Sequence, residues 1–134
     1  MGKLSYKILD KDRIVITGRG DCEDKNIVIP DEIDGYMVVA IDSCAFRYDK
    51  DLNSVQIANT VIHIGESTFY ECKNLQYLLI PEETYMVGRY AFGCCNKLKH
   101  IIFGRVGQLD WFGEEVFYGC NNIQNIEIAR RKCL

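Results

Sequence analysis

The sequence contains no long apolar run and no excess of basic charge. Its longest wholly apolar stretches, such as residues 38–41, are far shorter than the roughly 20 residues that span a bilayer. Sixteen Lys and Arg residues stand against nineteen Asp and Glu residues, and the net charge of -3 argues against nucleic-acid binding, because phosphate contacts need a basic surface. The first residues lead into alternating apolar sequence, so we expect neither a signal peptide nor membrane insertion.

Spacings that hold metals or build catalytic sites are also missing. The chain has only two histidines, His63 and His100, and no Cys-x-x-Cys or His-x-x-x-His pair, so we predict no metal and no cofactor. Residues 18–20 lack the lysine and the helix start of a phosphate loop. Cys94 is predicted to lie outside the core, but no base accompanies it. We therefore predict that the protein is not an enzyme, with a cysteine-dependent enzyme as the less favoured alternative.

An internal repeat organises the residues that are present. Four phenylalanines, Phe46, Phe69, Phe92 and Phe117, are separated by 23, 23 and 25 residues. Apolar residues return at fixed distances from them: five before (Ile41, Ile64, Val87, Phe112), six after (Leu52, Leu75, Leu98, Ile123), nine after (Val55, Leu78, Ile101, Ile126) and eleven after (Ile57, Ile80, Phe103, Ile128). A period of this length is typical of a leucine-rich repeat solenoid, in which stacked turns share one core.

Each repeat predicts one strand and one short corner. Residues 75–80 alternate between inward and outward positions, and one such strand per turn builds a parallel β-sheet. Residues 65–72 are too few for a stable isolated helix, so we expect a short helical or 3₁₀ turn there. Cys72, Cys95 and Cys120 each follow their phenylalanine by three residues and are predicted to be buried in the corners. The predicted fold is a leucine-rich repeat solenoid of about four turns of 23–25 residues.

The repeat resembles that of the BspA-like leucine-rich repeat family, whose turn reads approximately Ile-Gly-x-x-Ala-Phe-x-x-Cys-x-x-Leu-x-x-Ile-x-Ile-Pro. Nearly every position is carried by residues 64–75 (IGESTFYECKNL) and 78–81 (LLIP), and the resemblance extends over residues 27–128. The resemblance implies a bacterial protein that binds other proteins. It also implies no enzymatic activity, because such repeats have no shared catalytic residues. There are three departures: Asp49 replaces the corner cysteine, Asp42 and Ser67/Thr68 replace the usual glycine and small residues, and two extra residues lie in the segment 104–111.

We predict a single domain over residues 1–134, with an N-terminal β-hairpin cap in residues 1–26, repeats in 27–128 and a tail in 129–134.

The seven cysteines are odd in number and follow no export signal, so we expect reduced thiols and a cytoplasmic protein. A cell-surface or secreted location is the alternative if the chain is an excised fragment. The short tail covers little of the last turn, which predicts either a weak homodimer through this open end or further repeats.

The outward strand positions predict where a partner binds. Tyr77, Leu79, His100 and Ile102 form one contiguous patch if the strands stack in register, and Gln56 and Glu127 lie on its polar rim. The alternative is that such residues simply favour strands. Trp111 is a second candidate, although its repeat position also fits a residue that covers the side of the solenoid. We therefore predict a protein–protein interaction module that binds an unidentified protein through its exposed sheet face, with a fragment of a bacterial surface adhesin as the alternative.

Overall fold

The structure is a computed structural model that describes residues 2–105 and 108–128. The described part of the chain holds strands β1 (Ser5–Ile8), β2 (Arg13–Gly18), β3 (Asn26–Ile29), β4 (Glu32–Ile33), β5 (Tyr36–Ile41), β6 (Ser54–Ile57), β7 (His63–Ile64), β8 (Tyr77–Ile80), β9 (Met86–Val87), β10 (His100–Phe103) and β11 (Asn125–Ile128). Two 3₁₀ helices span Gln108–Trp111 and Glu114–Phe117. The predicted tail, with Cys133, and residues 106–107 of the irregular segment lie outside the described residues.

A five-stranded parallel sheet runs along the solenoid in the order β3-β6-β8-β10-β11. The inward residues alternate as predicted, and Leu78 and Ile80 are fully buried. The prediction of about four turns omitted β3, so the solenoid has about five. This strand lacks a preceding repeat phenylalanine, but it pairs in register with β6 and buries Ile27 and Ile29 in the same two inward rows.

A second sheet forms on another side of the solenoid, where we had expected one parallel sheet only. Its main path is β1-β2-β5-β7-β9, and β4 pairs with β5. The register pairs Ala40 with His63 and His63 with Met86, so equivalent repeat positions lie side by side. Strands β7 and β9 contain two residues each, which is too short for an alternating pattern to be visible in the sequence.

Stacked phenylalanines fill the core beneath both sheets. Phe46 and Phe69 have ring centroids 5.2 Å apart, Phe69 and Phe92 5.2 Å, and Phe92 and Phe117 5.5 Å, with interplanar angles of 2°, 5° and 12°. Phe69 and Phe92 are fully buried, whereas Phe117 in the last turn is half-buried. The repeat register predicted from these four residues is therefore confirmed.

The corners contain hydrogen-bonded turns in the earlier repeats, and a 3₁₀ helix forms only in the last, at Glu114–Phe117. The backbone N–H groups of Ser67, Phe69 and Glu71 donate to carbonyls of the next repeat, at 3.0, 2.7 and 2.8 Å. These bonds between turns alternate with bonds inside the corner, where Tyr70 and Cys72 donate to the carbonyls of Ser67 and Phe69 at 3.2 and 3.2 Å, so a continuous helix does not form. Ser67 and Glu71 adopt positive φ values of 54° and 54° to make this geometry.

The predicted hairpin cap is present as the antiparallel pair β1–β2, and β2 buries Ile14 and Ile16 at the head of the core. Its Arg19 also explains why Asp49 departs from the corner pattern. Arg19 Nε donates to Asp49 Oδ2 at 2.9 Å, and Arg19 Nη1 donates to the carbonyls of Cys22 and Asp24 at 3.2 and 2.6 Å. The first corner therefore has a carboxylate that pairs with the cap. The later corners have a cysteine at the same position.

Candidate functional site

The outward side of the five-stranded sheet, here called the sheet face, consists of two straight rows. Every pairing between neighbouring strands is in register, so each row takes one residue from each strand. The first row is Asn26, Ser54, Tyr77, His100 and Asn125, and the second row is Val28, Gln56, Leu79, Ile102 and Glu127. Of the seven residues predicted to bind a partner, six lie together on this face.

The centre of the sheet face is a packed cluster of four side chains. Tyr77 and His100 meet edge to face, with ring centroids 5.5 Å apart and planes at 64°. Leu79 and Ile102 stand opposite each other on β8 and β10, and all four residues are half-buried. An aromatic pair beside two aliphatic side chains is the composition found at the centre of protein interfaces.

A polar group at the edge of this cluster remains unsatisfied. His100 Nε2 is buried, and within the described ranges it has no hydrogen-bond partner. Glu127 Oε2 lies 3.6 Å away, which is too long for a hydrogen bond. Buried ring nitrogens usually have a partner, and the Nε2 atom of His100 lacks one among the described residues.

Val28 is a sheet-face residue that the sequence analysis missed. It stands in the second row beside Gln56 and is 60% exposed. The strand rows predicted from the repeat start at residue 54, although the segment Ile27-Val28-Ile29-Pro30 has the same strand-then-proline form as residues 78–81. That similarity was the available signal.

Trp111 lies apart from the sheet face, on the 3₁₀ helix Gln108–Trp111. Its side chain is exposed, and the guanidinium carbon of Arg105 is 5.5 Å from its ring centroid. Gln108 holds this helix on the preceding turn, because its Nε2 donates to the carbonyls of Pro81 and Thr84 at 2.7 and 2.8 Å. Trp111 therefore belongs to the side of the second sheet, in the repeat position that follows Met86.

Large apolar side chains are exposed on that side, here called the flank. The flank comprises Met37, Ile62, Tyr85, Met86 and Trp111. The carbonyl of Ile62 accepts hydrogen bonds from the backbone N–H groups of Tyr85 and Met86 at 3.3 and 3.2 Å, so these residues are direct neighbours. The sequence analysis did not find this surface, since it rests on the second sheet.

The thiols are placed for packing. Cys72, Cys95 and Cys120 donate to the carbonyls of the preceding repeat phenylalanines at 3.1, 3.2 and 2.9 Å. Burial raises the pKa of Cys72 to about 12, and the hydrogen bond with Cys120, together with burial, raises the pKa of Cys95, whereas the same hydrogen bond lowers the pKa of Cys120. The protonated thiols of Cys72 and Cys95 are poor nucleophiles. Cys94 is half-buried, with its sulfur 3.8 Å from the Tyr70 hydroxyl.

Neither a metal centre nor a membrane-spanning helix is found in the described residues. No group of three or more His, Cys, Asp or Glu side chains within residues 2–105 and 108–128 is arranged to hold a metal ion. In the same ranges, no helix has the length and apolar character needed to cross a bilayer.

Two solved bacterial structures resemble this fold. A leucine-rich cell surface protein of Faecalibacterium prausnitzii A2-165 has a TM-score of 0.66 and 22% identity, covering 96% of this chain and 42% of that protein. A leucine-rich repeat protein of T. pallidum has a TM-score of 0.58 and 19% identity, covering 92% of this chain and 78% of that one. This chain thus spans less than half of the first protein. No curated protein matches the sequence.

Parallel strands that recur once per turn, with a shared column of phenylalanines beneath them, define a leucine-rich repeat solenoid. The sequence model of the BspA-type leucine-rich repeat region matches residues 21–132 in six copies. The chain belongs to the BspA-type leucine-rich repeat family.

Proposed function

We propose that this protein is a non-enzymatic interaction module that binds a protein partner through its sheet face. The observation that carries the proposal is the packed cluster of Tyr77, Leu79, His100 and Ile102 on two strands in exact register. These side chains lie outside the core cluster, so folding alone does not require an aromatic pair and two aliphatic residues there. Truncating residues at such interface centres typically costs about 2 kcal/mol or more of binding free energy.

The surroundings of the cluster support the same function. Gln56, Asn125 and Glu127 are exposed around it and form a polar rim. Apolar centres with polar rims are typical of specific protein interfaces, because the rim excludes water while the centre supplies the binding energy. The rigid register of β8 and β10 keeps the cluster in one geometry before binding, which lowers the entropic cost of association.

The double variant Tyr77→Ala with Ile102→Ser tests this proposal. The wild-type protein is used to capture partners from its native host, and mass spectrometry identifies the captured protein. Binding of that purified partner is then measured to wild type, the sheet-face variant and a matched cap variant, Ile8→Ser with Leu9→Ser, whose two residues are exposed and lie outside the sheet face. We expect the sheet-face variant to lose about tenfold or more in affinity. Equal loss in both variants, or no loss in the first, would refute the proposal.

We further propose, as the alternative to a cytoplasmic module, that the domain is part of a bacterial surface adhesin. The structural relative in F. prausnitzii is named a cell surface protein, which favours the surface location. The six cysteines among the described residues form no disulfide with one another, which favours the cytoplasmic location. Fractionation of host cells with an antibody against this chain distinguishes the two locations. A signal in the cell-envelope fraction supports the surface reading, and a signal in the cytoplasm supports the other.

Weak self-association is a second candidate interaction. Ile126 and Ile128 on β11 are 53% and 41% exposed, although their repeat positions are buried in the earlier strands. Paired strands of two copies would cover this edge. Sedimentation at increasing concentration tests the idea: a reversible dimer supports it, and a monomer at all concentrations contradicts it.

A further inference from the structure

We propose that the flank is a second docking surface, separate from the sheet face, and that it binds a basic and apolar peptide segment of a partner protein. The flank supplies the apolar contact, and an adjoining group of carboxylates selects the charge of the occupant.

The flank exposes several large apolar side chains. Met37, Ile62, Tyr85, Met86 and Trp111 are 48%, 37%, 51%, 46% and 48% exposed. Ile62 precedes β7 and its carbonyl accepts from the backbone N–H groups of Tyr85 and Met86, while Met86 pairs with His63. These residues therefore lie on adjacent turns, about 4.8 Å apart, with the exposed His63 among them. Methionine, tyrosine and tryptophan are the residues that recur at adaptable binding surfaces.

A cleft of carboxylates adjoins the strip at the cap end. It has a volume of about 380 Å³ and is lined by Asp12, Asp31, Glu32, Gly35, Met37 and Thr60. Met37 belongs to both surfaces, and Thr60 precedes Ile62 by two residues, so the cleft is continuous with the flank. The Thr60 hydroxyl is buried in this region and, within the described chain, has no hydrogen-bond partner.

The carboxylates of this cleft differ from neighbouring ones in forming no salt bridge within the part of the chain that the structure describes, although Arg13 lies beside Asp12 and pairs with Met37 across β2 and β5. Nearby Asp10, Asp34 and Asp42 form ion pairs with Arg13, Lys3 and Lys7 at 2.6, 2.8 and 3.1 Å. Asp12, Asp31 and Glu32 form none with any described residue, and all three are exposed. A cationic side chain that enters the cleft therefore finds acceptors that no side chain of the protein already occupies.

The opposite end of the flank is electrically balanced. Arg105 stacks over Trp111, and its Nη2 lies 3.7 Å from Glu83 Oε1. His63 stands between the two ends, on β7. The charges around the flank therefore favour a cation at the cap end and apolar contact beyond it. A second copy of this chain fits poorly, because its net charge of -3 would place acidic surfaces against each other.

Two labelled peptides test the proposal directly on the full chain. Each has eight residues with capped ends; one alternates leucine with lysine and the other alternates leucine with glutamate. Fluorescence anisotropy is expected to show saturable binding of the lysine peptide, weakened by added salt, and at least about tenfold weaker binding of the glutamate peptide. Equal affinity for the two peptides would overturn the proposal.

Variants then locate the binding surface. Tyr85→Ser with Met86→Ser should weaken the lysine peptide by about tenfold or more. Asp31→Asn with Glu32→Gln changes charge at nearly constant shape on exposed residues, so it should fold normally and reduce the preference for lysine over glutamate. Thermal unfolding confirms that each variant is folded. The sheet-face variant Tyr77→Ala with Ile102→Ser should bind the lysine peptide like wild type, which separates this proposal from the proposed function.

Three further results would contradict the proposal. Loss of peptide binding only in the sheet-face variant would place the peptide on the other surface. A concentration-dependent dimer that disappears in the Tyr85→Ser, Met86→Ser variant would assign the flank to a second copy of the chain. If the protein floats with vesicles of an anionic phospholipid, and the Tyr85→Ser, Met86→Ser variant does not, the flank would be assigned to a membrane surface.

Discussion

The sheet face and the flank lie on the same solenoid but expose their apolar residues differently. On the sheet face, Leu79 and Ile102 stand in rows of four-residue strands and are half-buried. On the flank, Tyr85 and Met86 lie at or beside a two-residue strand and are about half exposed. Both surfaces are supported by one column of phenylalanines. The comparison shows that the repeat period constrains the inward positions, while the outward positions vary independently on each side.

The largest expected effect is damage to the core that both surfaces share. Phe92→Ala removes a fully buried ring between Phe69 and Phe117, and cavities of this kind cost about 3 to 5 kcal/mol. Phe117→Ala should cost less, because Phe117 is already half-buried. Urea unfolding of both variants measures the difference. Equal stability of wild type and Phe92→Ala would mean that Phe92 does not pack in the core between Phe69 and Phe117.

Raising the pH should weaken the same core through Cys72. Burial raises the pKa of this thiol from its ordinary value of 9.0 to about 12, so the folded state retains a proton that the unfolded state loses between these values. The stabilisation is complete below about pH 9 and is lost as the pH rises toward 12. Between about pH 8 and pH 10.5 wild type should lose about 2 kcal/mol more than Cys72→Ala. Identical pH dependence in the two proteins contradicts this assignment.

The ion pair between the cap and the first corner should contribute less. In Asp49→Ala the Arg19 guanidinium loses its carboxylate in a half-buried site, and we expect a cost of about 1 to 2 kcal/mol. The exposed pair of Lys3 and Asp34 is the control, since Asp34→Ala should change stability by well under about 1 kcal/mol. A cycle that includes Arg19→Met measures the coupling. Additive effects of the two single changes would show that the pair is not coupled.

The rate at which each thiol reacts should follow its burial. Alkylation of an exposed thiol should leave the stability of the protein unchanged. Cys44 is exposed, whereas Cys72 and Cys95 are fully buried, so alkylation of the native protein should modify Cys44 first. After denaturation without reductant, intact mass should show seven modified thiols, as in a protein from a reducing compartment. Five or fewer modified thiols would indicate a disulfide and favour the extracellular location.

The repeat spacing was sufficient to predict the inward rows, because four phenylalanines and their apolar neighbours carry a clear period. It was not sufficient to predict the second sheet, since β7 and β9 are too short to alternate. The predicted helical or 3₁₀ turn forms at the last described corner, whereas the earlier corners are hydrogen-bonded turns, because alternate N–H groups bond to the next turn, as Phe69 does to Ala91 at 2.7 Å. Such bonds between turns leave no local pattern in the sequence.

The candidate site was predictable in part for the same reason. Six of the seven proposed binding residues lie together because strand register follows from the inward period, and that register places Tyr77 beside His100. Val28 was missed since its turn lacks a repeat phenylalanine. Trp111 lies on the flank, as its repeat position after Met86 indicated, but Gln108 anchors its 3₁₀ helix through a side-chain contact that spacing alone does not reveal.

The most direct test of the sheet face as the binding surface is the paired measurement of stability and partner affinity in Tyr77→Ala with Ile102→Ser. Both side chains point away from the core, so the melting temperature should remain close to that of wild type. Affinity for the purified partner should fall by about tenfold or more, while the cap variant Ile8→Ser with Leu9→Ser retains it. Full affinity in the sheet-face variant, measured on a stably folded protein, would contradict the account.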